Sequence, residues 1–191
     1  STLINIECID EIADFANLKP QVASITERAM QGELDFDSSL AERVALLEGL
    51  DVSVLEKVYT NKLQVNSGGK ALIEFLHKRQ IKSAVVSGGF TYFADRLAQD
   101  ISLDYSRANI LAVDKGRLTG VTQGPIINAQ AKADFVNELC QQHALSTSQV
   151  IVVGDGANDL AMMEVAGLSV AYHAKPIVAE QADIAINVGG L

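Results

Sequence analysis

The stretch Val150–Met163, VIVVGDGANDLAMM, decides the fold. Its opening residues form an apolar, strand-like run that breaks at Gly154-Asp155-Gly156 and opens into a helical pattern carrying Asn158 and Asp159. Carboxylates gathered at the end of a buried strand point to a hard-metal site. Mg²⁺ takes octahedral oxygen ligands, usually one or two protein carboxylates, with waters and substrate phosphate completing the set. Asp155 is placed to be such a ligand. A plain strand-to-helix turn with Asn158 as its N-cap would explain the glycines and one polar residue. It would leave Asp155 and Asp159 crowded beside an apolar strand, where like charges repel unless a cation or hydrogen-bond donors compensate.

From residue 67 onward, helical segments near 70–79, 90–99, 128–143, 158–166 and 176–181 alternate with β-branched runs at Ile81–Val86, Ile110–Val113, Val150–Val153, Leu168–Ala171 and Asp183–Ile186. That alternation predicts an α/β protein with a parallel sheet covered by helices on both faces. Val113–Gly120 reads as a hairpin leaving the sheet. The preceding segment, 5–62, reads as helix after helix. Ile9, Ile12, Ala13 and Ala16 recur at helical spacing, followed by Val22, Ile25 and Ala29, then Leu40, Val44 and Leu47. Pro20 suits a first helical position, Gly32 a stop, and Asp37 an N-cap for the next helix. The expectation is a small helical bundle.

The chain has 191 residues and a formal charge of −9. That length buries a real core and allows one domain, or one domain with an insertion. The negative charge argues against nucleic-acid and anionic-membrane partners, and leaves a phosphate substrate possible only where metal and a few cations make a pocket locally positive. Cys8 and Cys140 are too few for a disulfide framework. With no secretory leader legible and no apolar run near the ~20 residues of a membrane span, a soluble cytoplasmic protein is the default expectation. Nothing in the sequence sets the oligomeric state.

Ligands of open α/β sheets bind beyond the carboxyl ends of the strands. Ser87-Gly88-Gly89 follows one strand run, where a hydroxyl and free backbone N–H groups suit a phosphoryl oxygen; an ordinary glycine turn reads equally well. Lys132 lies in the first turns of the helix after Asn128. The helix dipole disfavours a cation there unless a phosphate faces it, and a solvent-facing lysine is the plain alternative. Glu7 and Arg43, in the helical segment, belong to solvated faces or else receive the ammonium and carboxylate of a zwitterionic substrate. His77, His143 and His173 show no metal-ligand spacing and read as structural. Met30, Met162 and Met163 read as packing residues, with Met30 in the bundle also within reach of a ligand.

Ser1-Thr2-Leu3-Ile4, Glu7, Ser87-Gly88-Gly89-Phe90, Lys132 and Gly154-Asp155-Gly156-Ala157-Asn158-Asp159, in this order and spacing, closely resemble the phosphoserine phosphatases of the haloacid dehalogenase superfamily. The resemblance extends to Gly32–Phe36 (GELDF), Ser39–Val44 (SLAERV) and Ala171–Pro176 (AYHAKP), and so covers essentially the whole chain. It implies a Rossmann-like core over 1–4 and 67–191, with a helical cap inserted over 5–66. It further implies that Ser87, Lys132 and Asn158 contact phosphate, Gly88 lends a backbone N–H, and Asp155 ligates Mg²⁺ while Asp159 supports the metal through its water shell. Glu7 and Arg43 would read the amino and carboxylate groups of phosphoserine, with Met30 and Phe36 lining the closed cap. The implied reaction, last in serine biosynthesis, hydrolyses a small phosphomonoester through an aspartyl phosphate.

The family's Asp-x-Asp falls immediately before the Ser-Thr with which this sequence starts. Its first aspartate is the nucleophile and its second the general acid and base. Its strand is the central one of the sheet, so the expectation is a segment of a longer active enzyme, with a gap in the sheet and residues 1–191 inactive by themselves. Ser67 stands near the position of a family proline and is expected to cap the following helix. Two other readings remain: a related phosphatase or phosphotransferase for another small phosphomonoester, and a catalytically silent module that binds phosphoserine. P-type ATPases share the GDGxND pattern but need membrane helices.

Overall fold

The computed structural model describes residues 1–191. Its first part is helical: α1 (Cys8–Phe15), α2 (Lys19–Met30), α3 (Phe36–Ala45) and α4 (Ser53–Asn61). The first three bury most of the stripe expected of them, Ile9, Ile12 and Ala13 from α1, Val22 and Ile25 from α2, and Leu40 and Val44 from α3, while Ala16 and Ala29 are only partly covered. Pro20 lies in the first turn of α2, and Gly32 follows the helix with φ +81°, a left-handed conformation that glycine adopts without strain. The cap of α3 differs from expectation. Asp35, not Asp37, accepts from the Ser38 N–H at 2.7 Å, because α3 begins at Phe36 and places Asp37 inside the first turn.

Then follow α5 (Gly69–Lys78), β1 (Ala84–Phe90), α6 (Thr91–Ile101), β2 (Tyr105–Asp114), β3 (Arg117–Gln123), α7 (Ala129–Gln142), β4 (Ile151–Gly154), α8 (Leu160–Val165), β5 (Leu168–Tyr172), α9 (Pro176–Gln181) and β6 (Ile184–Ile186). Ser67 does not cap α5. The N-cap is Gly68, at φ +86°, and a Cβ there would lie 2.0 Å from the Leu191 carbonyl oxygen, so the close approach of the two backbones requires glycine.

The strands form two three-stranded sheets, β1-β2-β3 and β4-β5-β6, rather than one continuous sheet. The second is wholly parallel; in the first, β1 and β2 are parallel and β3 returns antiparallel. No ladder joins β1 to β4, and Ile151 of β4 is 63% exposed. The two halves are held by α7, whose Ala133, Val136 and Cys140 pack with Val152, Met162, Met163 and Ala171 of the second half and touch Val86 of β1.

The expected hairpin is β2–β3. Its turn residues Lys115 and Gly116 both have positive φ, +48° and +78°, the twist that matches a tight antiparallel ribbon. Backbone bonds from Gly49 N–H to the Leu118 carbonyl (2.8 Å), Leu118 N–H to Leu50 (2.9 Å) and Val52 N–H to Gly116 (2.9 Å) fasten the helical segment to this hairpin. The apolar core continues across the join, since Ile12, Leu40, Val44 and Leu47 share one cluster with Phe90, Phe93 and Leu118. No helix is long and apolar enough to cross a membrane.

Candidate active site at the carboxyl ends of β1 and β4

Ser87, Gly88 and Gly89 do not follow the strand; β1 runs through them to Phe90. The backbone nevertheless leaves the regular ladder here, because the register against β2 slips between Val86 and Phe90. The Ser87 Oγ accepts from the Gly89 N–H at 3.0 Å. Phe36 of α3 lies over Gly88, where a Cβ would come within 2.8 Å of the ring. Glycine at 88 is therefore what lets the helical segment close on this strand end.

The loop after β4 is built around Asp159. Its Oδ2 accepts the N–H groups of Asp155 (3.0 Å) and Gly156 (3.1 Å), and its Oδ1 accepts from Lys132 Nζ at 2.7 Å. The crowding of Asp155 and Asp159 is thus relieved at Asp159 by donors of the chain itself. Gly154 provides the room, since a Cβ there would stand 2.6 Å from that of Asp159; at Gly156 it would stand 2.5 Å from Asn158 Oδ1. Lys132 is not solvent-facing. It is 4% exposed, held on α7 four residues beyond Asn128, whose side chain caps the helix by accepting from Ala131 N–H at 3.1 Å.

Asp155 points elsewhere. It is half-buried, and its Oδ1 and Oδ2 accept from the Thr2 hydroxyl (2.6 Å) and the Ser1 ammonium (3.1 Å). The ammonium also lies 3.2 Å from Glu7 Oε1. Glu7 and Asp155 thus bring two carboxylates to one spot. The Asp155 carbonyl accepts the Lys175 N–H at 3.1 Å, which joins the AYHAKP segment to the loop.

The same spot tests the residues against Mg²⁺. No group of three His, Cys, Asp or Glu side chains converges in residues 1–191. Mg²⁺ does not need one, being content with one or two carboxylates and otherwise water and phosphate oxygens. Asp155 offers a hard oxygen donor with the Glu7 carboxylate close by, and the residues fit the ion on those terms.

On the helical side, Glu7 precedes α1 and is largely exposed. Arg43 on α3 is half-buried; its Nε donates to the Ser39 carbonyl at 3.1 Å, and no carboxylate lies within 4.0 Å of it. Burial pulls its pKa down, while Asp10 and Glu7 pull it back up. A guanidinium with its terminal nitrogens uncommitted suits an incoming carboxylate. Met30 ends α2 at 68% exposure, so in this structure Phe36 carries the lining expected of the pair. His173 packs edge-on against Tyr172 and its Nε2 lies 2.9 Å from the Gly189 carbonyl, and His143 pairs with the Tyr105 hydroxyl at 2.7 Å, both structural as expected.

Two participants escaped sequence reasoning. Asp10, one helical turn from Glu7, has its carboxyl pKa raised by burial and then by Glu7, with Arg43 opposing. Asn109 of β2 is 1% exposed and bonds to Gly88. The only signal for Asn109 was an amide set between Ala108 and the apolar run Ile110–Val113.

A family model for haloacid dehalogenase-like hydrolases matches residues 1–167, and the chain belongs to that family. Within it, the near relatives are phosphoserine phosphatases. That of Polaromonas sp. is 51% identical over 100% of this chain and 83% of its own length. The unliganded structure of a probable phosphoserine phosphatase from Vibrio cholerae superposes with a TM-score of 0.89 at 47% identity, over 96% of this chain and 57% of that one. A phosphoserine phosphatase carrying an analogue of its phospho-aspartyl intermediate gives 0.90 at 39% identity, over 97% and 88%.

Proposed function

We propose that the full-length protein is a Mg²⁺-dependent phosphomonoesterase that hydrolyses O-phospho-L-serine to serine and phosphate in the cytoplasm, as the last step of serine biosynthesis. The observation that carries this reading is the buried Lys132, clasped to Asp159 at 2.7 Å and so fixed beside the Asp155 loop. A lysine held at 4% exposure at the start of a helix, with one donor committed to Asp159, keeps donor capacity for a second anion at that helix N-terminus. A phosphoryl group is such an anion.

On this reading Lys132, the Ser87 hydroxyl and the Gly88 N–H bind the phosphoryl oxygens, with Asn158 beside them on the second loop. Arg43 takes the carboxylate of the substrate and Glu7 its ammonium, and Phe36 covers the site from α3. Asp155 would hold Mg²⁺, with Asp159 behind it. The ion, when bound, offsets negative charge on the phosphoryl oxygens.

The phosphoryl group passes from the serine oxygen to an aspartate, a second aspartate protonates the departing serine, and water then releases phosphate with that residue as base. The neighbour bearing a phospho-aspartyl analogue supports this route. Within residues 1–191 the site carboxylates are engaged, Asp159 by Lys132 and two N–H groups and Asp155 by Ser1 and Thr2. On this reading neither reacting aspartate is Asp155 or Asp159, which serve the metal and the phosphate-binding lysine.

The free fork of Arg43 favours an amino-acid phosphate over other small phosphomonoesters. Phosphate release by the full-length protein with Mg²⁺, from L-phosphoserine and from a panel of simple aryl and sugar phosphates, tests this. Selective turnover of phosphoserine is expected; equal turnover across the panel would move the assignment to a general phosphatase, and none would leave a silent binding module.

A further inference from the structure

We infer that Asn109 is a positioning residue that fixes the two phosphate-binding elements relative to each other, an inference that rests on the phosphomonoesterase reading of the site. Asn109 lies in β2 among Ala108, Leu111 and Ala112, and a buried amide in such surroundings is costly unless all its polar groups are paired. It is paired at both ends. Its Nδ2 donates to the Gly88 carbonyl at 2.8 Å, and its Oδ1 accepts from the Ile127 N–H at 2.8 Å. Since one partner only accepts and the other only donates, the orientation of the amide is fixed.

The partners are the two elements the site requires. Gly88 lies where β1 slips register against β2, so the strand ladder does not hold it in the usual way, and the Asn109 side chain takes over. Ile127 precedes Asn128, the N-cap of the helix that brings in Lys132. One side chain thus ties the Ser87-Gly88-Gly89 strand end to the start of α7. The next residue extends the tie to the helical segment, since Asn128 Nδ2 lies 3.2 Å from both carboxylate oxygens of Asp37. Asn109 touches no substrate in this arrangement; it sets the spacing between groups that do.

Losing that spacing should cost turnover as well as stability, because small misplacements of binding groups cost up to about 100-fold in rate. Asn109→Asp keeps the shape and the acceptor for Ile127 but removes the donor to Gly88, whereas Asn109→Ser removes both long contacts while leaving space for water. In the full-length protein both should lower kcat for phosphoserine by roughly 10- to 100-fold and weaken inorganic phosphate, measured by calorimetry, with Asn109→Ser the worse. A fall in melting temperature with kcat and phosphate affinity unchanged would overturn the inference and leave Asn109 a core amide. Exchange of the Ile127 amide in unaltered protein gives a readout free of folding defects. Inorganic phosphate should slow it severalfold, and no change on binding would overturn the inference. If the unaltered protein binds no phosphate, the reading of the site fails first and takes this inference with it. If it binds and turns over phosphoserine while the variants match it, the inference alone fails.

Discussion

At the residue scale the account rests on Lys132 and Arg43. Lys132 and Asp159 are a charge pair at 5% and 8% side-chain exposure, and removing one partner of such a pair strands the other. Lys132→Met should therefore cost about 3–5 kcal/mol in urea unfolding and abolish inorganic phosphate binding; a variant that keeps both would remove Lys132 from the site. Arg43→Ala should harm phosphoserine far more than an aryl phosphate, because the partner proposed for it is the amino-acid carboxylate. A charged hydrogen bond of about 1.5–3 kcal/mol corresponds to roughly 10- to 150-fold in the kcat/KM ratio. Equal losses would make Arg43 structural or a phosphate ligand. Lys132 stands out in the sequence because a cation is unusual in the first turns of a helix, whereas Arg43 reads as one charge of a helical face and gains its role from the resemblance. Asn109 and Asp10 were not legible, because their importance comes from neighbours distant in sequence.

Element-scale behaviour turns on how the helical segment is tied down. On its far side, Glu56 of α4 accepts from Tyr92 (2.7 Å) and Thr60 (2.8 Å) and pairs with Arg96 of α6, which stacks over Tyr59. Arg96 first, then Tyr92 and Thr60, draw the Glu56 carboxyl from its ordinary 4.5 down to about 2. A depressed folded-state pKa contributes stability that is present above pH 4.5 and lost as pH falls through about 2. Melting temperature should therefore fall over that window, and less steeply in Glu56→Gln; identical pH profiles would show that the exposed cluster contributes nothing. Helices and turns were legible at this scale from local signals: Pro20, Gly32 and the Val113–Gly120 hairpin. The errors were also local in kind. Asp35 and Asp37 are both credible caps, and only packing of Phe36 on Gly88 fixes where α3 starts. Ser87-Gly88-Gly89 reads as a turn because glycine usually ends strands, yet pairing with β2 carries β1 past it.

For the whole molecule, the alternating pattern predicts the α/β class and Val113–Gly120 the hairpin, and both are present, but pairing between strands is a non-local property. A gap in the sheet is expected from the resemblance; the strand orders on either side of it are visible only in three dimensions. The same holds for the core that runs through hairpin and helical segment alike. Leu118, at 2% exposure, sits in that shared cluster, so Leu118→Ala should cost about 2–5 kcal/mol and lower the unfolding of both parts together, followed by hydrogen exchange in α3 and α6. Loss confined to one part would mean that the halves are cored separately. The central claim is that residues from both parts converge on phosphoserine with a hard metal at Asp155. Its most direct test is phosphate release from L-phosphoserine by full-length protein, with Mg²⁺ and after chelation, for the unaltered chain and Asp155→Asn. The account predicts steady release that chelation abolishes and that Asp155→Asn depresses while raising the Mg²⁺ requirement. Release that is indifferent to both chelation and Asp155→Asn would contradict it.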